Sequence, residues 1–162
     1  MQFLEGQIVE ITQRVWTSMF GVEIRHLEGS RDDPGAERLL TAWVTTMGDW
    51  NGALALECSP GLARQAAAAM MDLEIDEASE ADSRDVLGEL ANIIGGNVKA
   101  LIGSSGLSAP TVAEVVDDEF HFPHCRVVSR VHFHVKDHRF VVKLMKTKPR
   151  ESETYSLETS AS

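Results

Sequence analysis

Glu89 and Asn92 stand one turn apart in a run that reads as a helix from about Ser83 to Ile102. A carboxylate accepts hydrogen bonds and attracts cations, while a carboxamide both donates and accepts without needing a particular protonation state. On a helical wheel of about 100° per residue, Leu87, Leu90, Ala91, Ile94, Val98 and Leu101 fall on one side, and Asp85, Glu89, Asn92, Gly96 and Lys99 form a stripe opposite. Every amphipathic helix carries a polar stripe, and solubility alone is its plainest explanation. Two details weigh against that. Asn and Gly are poor helix formers, Gly by up to about 1 kcal/mol relative to Ala, yet Asn92, Gly88, Gly95 and Gly96 all interrupt this one helix. Glycine beside a polar pair also lets another backbone come close. The pattern predicts a surface on which a partner docks.

Other chemistry-bearing residues are weaker candidates. His132 and His134 alternate on an expected strand and so share one face, with His121, His124 and His138 possible neighbours. Val131, Phe133 and Val135 hold the opposite face, which makes an exposed strand face the simpler reading. No His-Glu-x-x-His or Cys-x-x-Cys spacing supports a metal site. Gly103-Ser104-Ser105-Gly106 follows a helix instead of preceding one and lacks the Gly-Lys-Ser/Thr of a phosphate loop. No serine lies in a Gly-x-Ser-x-Gly elbow. Trp16, Trp43 and Trp50 read as core or half-buried anchors, with Trp50 in a hairpin turn where it could meet a partner.

The elements that must hold the stripe can be read on either side of it. Leu4, Ile8, Ile11, Val15, Met19 and Val22 recur on one face of an N-terminal helix. Residues 28–37, with Asp32-Asp33-Pro34-Gly35, read as a turn. Strand-like runs 40–47 and 53–58 flank Asp49-Trp50-Asn51-Gly52, which predicts a hairpin. Ser59-Pro60 opens a second helix through Met71, Ser as cap and Pro at the first helical position. The acidic stretch 72–82 is a solvated connection or the start of the third helix, which Gly103–Gly106 ends. Strands follow near 111–116, 126–135 and 139–146, the last two joined by a turn at Lys136-Asp137-His138. Consecutive hairpins favour an α+β fold, a mostly antiparallel sheet with helices packed on one face.

Composition sets the outer bounds. A chain of 162 residues suits one domain, here 1–148, followed by a polar tail over 149–162 expected to be disordered. Its 43% hydrophobic and 25% charged content is that of a globular protein able to build its own core. The formal net charge of −10 argues against nucleic acid or an anionic membrane as the main partner. No apolar run is long enough to span a bilayer and no signal peptide is evident, while Cys58 and Cys125 form no disulfide framework. A cytoplasmic location is expected.

The string Asp85-Val86-Leu87-Gly88-Glu89-Leu90-Ala91-Asn92-Ile93-Ile94-Gly95-Gly96-Asn97-Val98-Lys99 resembles the signature helix of the CheX/CheC chemotaxis phosphatases. The bare Glu-x-x-Asn core is weak; Gly-Glu-Leu-x-Asn-Ile-x-x-Gly-x-x-Lys is far more specific. The resemblance extends loosely over residues 1–147, and only one signature copy is present, the N-terminal helix offering Glu10-x-x-Gln13 alone. A single copy resembles CheX more than the two-site CheC type.

That resemblance implies a phosphatase acting on the aspartyl phosphate of a CheY-type receiver domain. Asn92 would orient the in-line water and Glu89 would pair with the receiver's active-site lysine, with Asp85, Gly96 and Lys99 on the docking surface. Mg²⁺ would come with the receiver, this chain bringing no cofactor of its own. A homodimer joined through the sheet would be expected, as in CheX. The alternative within the same fold is a non-catalytic adaptor of a signalling complex; outside it, an unrelated α+β domain with a coincidental helix.

Overall fold

The computed structural model describes residues 2–28, 38–116 and 122–148. The first apolar stripe becomes α1 (Gln2–Phe20), which buries Ile8, Ile11 and Val15 and half-buries Leu4 and Met19. A short strand, β1 (Arg25–Leu27), follows. Next come β2 (Arg38–Gly48), β3 (Gly52–Cys58), α2 (Pro60–Met71), a 3₁₀ turn at Ile75–Glu77 and α3 (Glu80–Ile102). The chain continues as β4 (Ser104–Leu107), β5 (Thr111–Val116), β6 (Cys125–Val135) and β7 (His138–Thr147). The turn expected over 28–37 lies, from residue 29 on, outside the described residues, as does the tail over 149–162.

All strands join one antiparallel sheet in the order β1-β6-β7-β3-β2, with β2 pairing β5 through its first half and β4 through its second. The two expected hairpins form, with Thr46 opposite Gly52 and Val135 opposite His138. Lys136 takes the left-handed backbone that this tight turn requires. The three helices pack on one face of the sheet. This is the α+β layout the hairpins and periodicities predict.

Alternation along the strands builds the core between helices and sheet. Leu54, Leu56 and Cys58 of β3, Val131 and Phe133 of β6, and Phe140, Val142 and Leu144 of β7 face the helices, each less than 3% exposed. Trp16 of α1 joins them, with its ring edge-on to Phe140 at 5.2 Å between centroids. The other face carries a smaller apolar cluster of Ala53, Ala55 and Met145, flanked by Trp43 and Phe122. A buried ion pair between Glu57 and Lys143 lies beside it.

Three details differ from the sequence reading. β1 was not expected because three residues carry no readable alternation. Gly103 does end α3, at φ 73° with its N–H bonded to the Lys99 carbonyl, but Ser104–Leu107 then pair with β2 instead of forming a loop. Leu101, placed by the wheel on the core side, is 41% exposed, in the last turn of α3.

Cys58 is buried, and desolvation pushes its thiol up to about 12. The folded value lies above the ordinary 9.0, so the stability linked to this thiol is intact below that pH and declines as pH climbs toward the folded value. A thiol reagent near neutral pH should therefore label the half-exposed Cys125 in the native chain and reach Cys58 only on denaturation. Labelling of both cysteines at equal rates in the native chain would contradict this packing.

Candidate functional site

The site rests on how α3 begins and how closely it lies on the sheet. Ser79 caps the helix: its hydroxyl accepts the Asp82 N–H at 3.0 Å, and Asp82 accepts the Ser79 N–H at 2.9 Å. Glu80 and Asp82 in the first turn suit the positive end of the helix dipole. The acidic stretch 72–82 thus serves both expected roles, a connection with one 3₁₀ turn and then a helix start. It begins at Asp72, whose left-handed backbone ends α2.

The buried side of α3 consists of Ser83, Val86, Leu87, Gly88, Leu90, Ala91, Ile94, Gly95 and Val98. Two of the three glycines therefore face inward. A Cβ at Gly95 would sit 2.7 Å from Val44 Cγ2, and one at Gly88 would meet Val112 Cγ2 at 3.4 Å and Pro110 at 3.6 Å. They bring α3 close to β2 and β5 and do not receive a partner, as the sequence reading supposed. Gly96 is different, because a Cβ there would meet nothing within 4 Å.

The opposite side carries the stripe as the wheel predicts. Asp85, Glu89 and Asn92 are exposed, and Gly96 and Lys99 are half-buried. Helix rise places the ends of this stripe about 21 Å apart. Neither Glu89 nor Asn92 has a hydrogen-bond or ion-pair partner among the described residues. Nearby Asn97 does not share this freedom, since its amide donates to the Ile93 carbonyl at 2.8 Å. Asn92 thus presents both halves of its amide to solvent, from a helix anchored on its reverse side.

The histidines do not converge. His132 and His134 share the sheet face away from the helices, as alternation predicts. His138 lies at the other face, its ring held between Ser59 Oγ at 2.8 Å and the Gln65 amide nitrogen at 3.2 Å. His121 is outside the described residues. Among the described residues, no three His, Cys, Asp or Glu side chains group as metal ligands. Trp50 packs half-buried against the core, with Lys146 Nζ 4.8 Å from its ring centroid.

Comparison with known proteins agrees with this fold. A family model described as chemotaxis phosphatase CheX matches residues 40–119, a span that contains the whole stripe. Chemotaxis protein CheX from Desulfovibrio desulfuricans is similar in structure at 20% identity and TM-score 0.70, covering 88% of this chain and 98% of that one. CheX from Vibrio vulnificus follows at 13% identity and TM-score 0.69, covering 85% and 91%. A CheX-CheY-BeF₃-Mg²⁺ complex from Borrelia burgdorferi gives 17% identity and TM-score 0.63, covering 87% and 96%. No curated protein sequence matches. The sheet and its helical layer are those of the CheX/CheC-like fold. Over residues 40–119 the chain is similar to the CheX chemotaxis phosphatase family.

Two measurements test how the site is held. Gly95→Ala should destabilise the fold by about 1–3 kcal/mol in denaturant titration, the cost of overpacking against Val44. Gly96→Ala should leave stability unchanged or raise it by up to about 1 kcal/mol. The Ser79 backbone N–H, then its hydroxyl, hold the Asp82 carboxyl below its ordinary value. The associated stability is therefore present above the unfolded value and lost as pH falls through the folded one. Ser79→Ala should cost about 1 kcal/mol and move the Asp82 titration, followed by NMR, back upward.

Proposed function

We propose that this chain hydrolyses the aspartyl phosphate of a CheY-type receiver domain, with the exposed face of α3 as the docking and working surface. The observation that carries the reading is Glu89 and Asn92, exposed and without a partner among the described residues, one turn apart on a helix whose reverse side is packed on β2. The chain's CheX-like fold and the CheY bound in the Borrelia complex support the choice of partner.

An acyl phosphate is already reactive, so the catalyst has mainly to position water and tolerate developing charge. The Asn92 carbonyl accepts a hydrogen bond from the attacking water, and its NH₂ is left to donate toward the phosphoryl group. The water oxygen attacks phosphorus in line, the bond from phosphorus to the receiver's aspartate oxygen breaks, and inorganic phosphate leaves. No covalent intermediate forms on this chain. Glu89 pairs with the receiver's lysine and fixes the docked register. Asp85 and Lys99 border the contact, and Gly96 gives the receiver backbone room to approach. In this reading the Mg²⁺ is carried by the receiver.

A homodimer joined through the sheet belongs to the same reading. The edge strand β5 suits it, running Thr-Val-Ala-Glu-Val-Val and pairing only with β2 among the described residues.

The test is phosphate release from an acyl-phosphorylated CheY-type receiver. Substoichiometric wild-type chain should accelerate it, and Asn92→Ala should lower the rate about 100-fold with receiver binding retained. Glu89→Ala should weaken binding as well as turnover. Binding without acceleration by the wild type would make the chain an adaptor, and absence of both would remove the receiver from the account.

A further inference from the structure

α2 buries one face, and that face continues into its last turn, where it is open to solvent. Leu62, Ala63, Ala66 and Ala67 recur at i, i+1, i+4 and i+5, and all four are buried. The same stripe runs on through Met70 and Met71 at i+8 and i+9. At about 100° per residue, Met70 points between Ala63 and Ala66, into the middle of the buried face. Yet Met70 and Met71 are 45% and 48% exposed. The chain then folds back tightly. The N–H groups of Asp72 and Leu73 both donate to the Ala68 carbonyl, and the 3₁₀ turn Ile75–Glu77 packs against α2. Ile75 in that turn is 49% exposed. Three of the six large apolar side chains exposed among the described residues thus fall between positions 70 and 75.

Scattered exposed apolar side chains are ordinary and need no partner. These three are not scattered. Helix propensity does not ask for methionine here, since Ala66–Ala69 fill the preceding turn with the best helix former. The charges around them are of one sign. Asp72, Glu74, Asp76 and Glu80 are all exposed. The arginines on either side are engaged, Arg64 donating to the Ala78 carbonyl at 3.0 Å and Arg84 reaching Glu80 at 3.5 Å. Solubility accounts for the carboxylates but not for the apolar side chains set among them.

We infer that the end of α2 and the turn after it form a docking site for a basic amphipathic helix of a partner protein. The apolar face of that helix covers Met70, Met71 and Ile75, completing the stripe that α2 leaves open. Methionine, unbranched and polarizable, adapts to whichever side chains arrive. The flanking lysines or arginines meet Asp72, Asp76 and Glu80, which set the orientation and speed the encounter. A second copy of this chain is a poorer occupant, because it would bring two acidic rims together. Anionic lipid and nucleic acid are repelled by the same rim. The site uses no residue of the Asp85–Lys99 stripe and stands whether or not the phosphatase reading holds.

The test uses the full chain and three fluorescein-labelled peptides: (Leu-Lys-Lys-Leu-Leu-Lys-Leu)₂, its equally charged but apolar-free counterpart (Ser-Lys-Lys-Ser-Ser-Lys-Ser)₂, and the acidic (Leu-Glu-Glu-Leu-Leu-Glu-Leu)₂. By anisotropy, the first should bind at least about tenfold more tightly than either of the others. Met70→Ser/Ile75→Ser should erase its advantage over the apolar-free peptide. Asp72→Asn/Asp76→Asn, which leaves the apolar side chains in place, should weaken its binding at least about threefold and flatten the dependence on salt. Met47→Ser/Val127→Ser, exposed elsewhere, should change nothing. The proposal fails if the two basic peptides bind alike, which would be the general attraction of an acidic chain for cations. It fails if the acidic peptide binds as well as the basic one, or if Met70→Ser/Ile75→Ser binds like the wild type. It fails equally if no peptide binds and the wild type self-associates in a way that Met70→Ser/Ile75→Ser abolishes, which would give the patch to a second copy.

Discussion

The close approach of α3 to β2 is the constraint on which the rest of this structure depends. Gly95 lies where any side chain would strike Val44, and Gly88 leaves just room for Val112 and Pro110. With the helix seated this low, Leu90, Ala91, Ile94 and Val98 reach the core and are almost wholly buried. The stripe opposite is then fixed in direction by the packing beneath it. Asn92 needs no partner of its own to be well placed, which suits the water-holding task proposed for it. A helix standing further off would need larger residues at both glycines and would offer its amide from a less rigid base.

The sheet supports this arrangement from its centre. β2 bonds β3 along one side, and β5 and β4 in succession along the other, so the strand beneath α3 is an interior one throughout most of its length. The bulge at Met47–Gly48, where β4 takes over pairing, lies beside the hairpin turn that Ser104 ties down through the Trp50 carbonyl at 2.8 Å. On the reverse of the sheet, small residues at 53 and 55 and the Glu57–Lys143 pair fill a surface that no helix covers. Removing either charge of that pair would strand the other in a dry position, so the two act as a unit.

Much of this was legible in the sequence because periodicity and punctuation agreed. The Ser59-Pro60 start, the left-handed Lys136 turn region and the alternation of Val131, Phe133 and Val135 each carry a local physical signature that tertiary packing did not override. The stripe Asp85–Lys99 was legible for the same reason: a helix wheel depends only on residue order. The glycines were not. Sequence shows that a side chain is missing but cannot show what fills the space, and Gly88 and Gly95 proved to face the sheet, with Gly96 alone open outward. β4 was hidden because Ser-Ser-Gly-Leu has the composition of a loop, and only the free edge of β2 beside it makes a strand of it. Leu101 was misplaced because a wheel carries no information on which neighbours a residue meets.

The order of the strands in space differs from their order in the chain, and this bears on how the molecule assembles. β2 with β3 and β6 with β7 are hairpins that can close locally. The seam between β3 and β7 joins residues more than 80 positions apart, since Gly52 meets Lys146 and Cys58 meets Phe140. Ordering so long an intervening stretch costs entropy before the seam returns any hydrogen bonds. Each of the two hairpins, with one apolar face, can close locally, whereas the seam between them cannot. Substitutions along the β3–β7 seam should then be felt in the rate of folding, while those on the outer stripe of α3, which joins no seam, leave that rate alone and bear on encounters with other molecules.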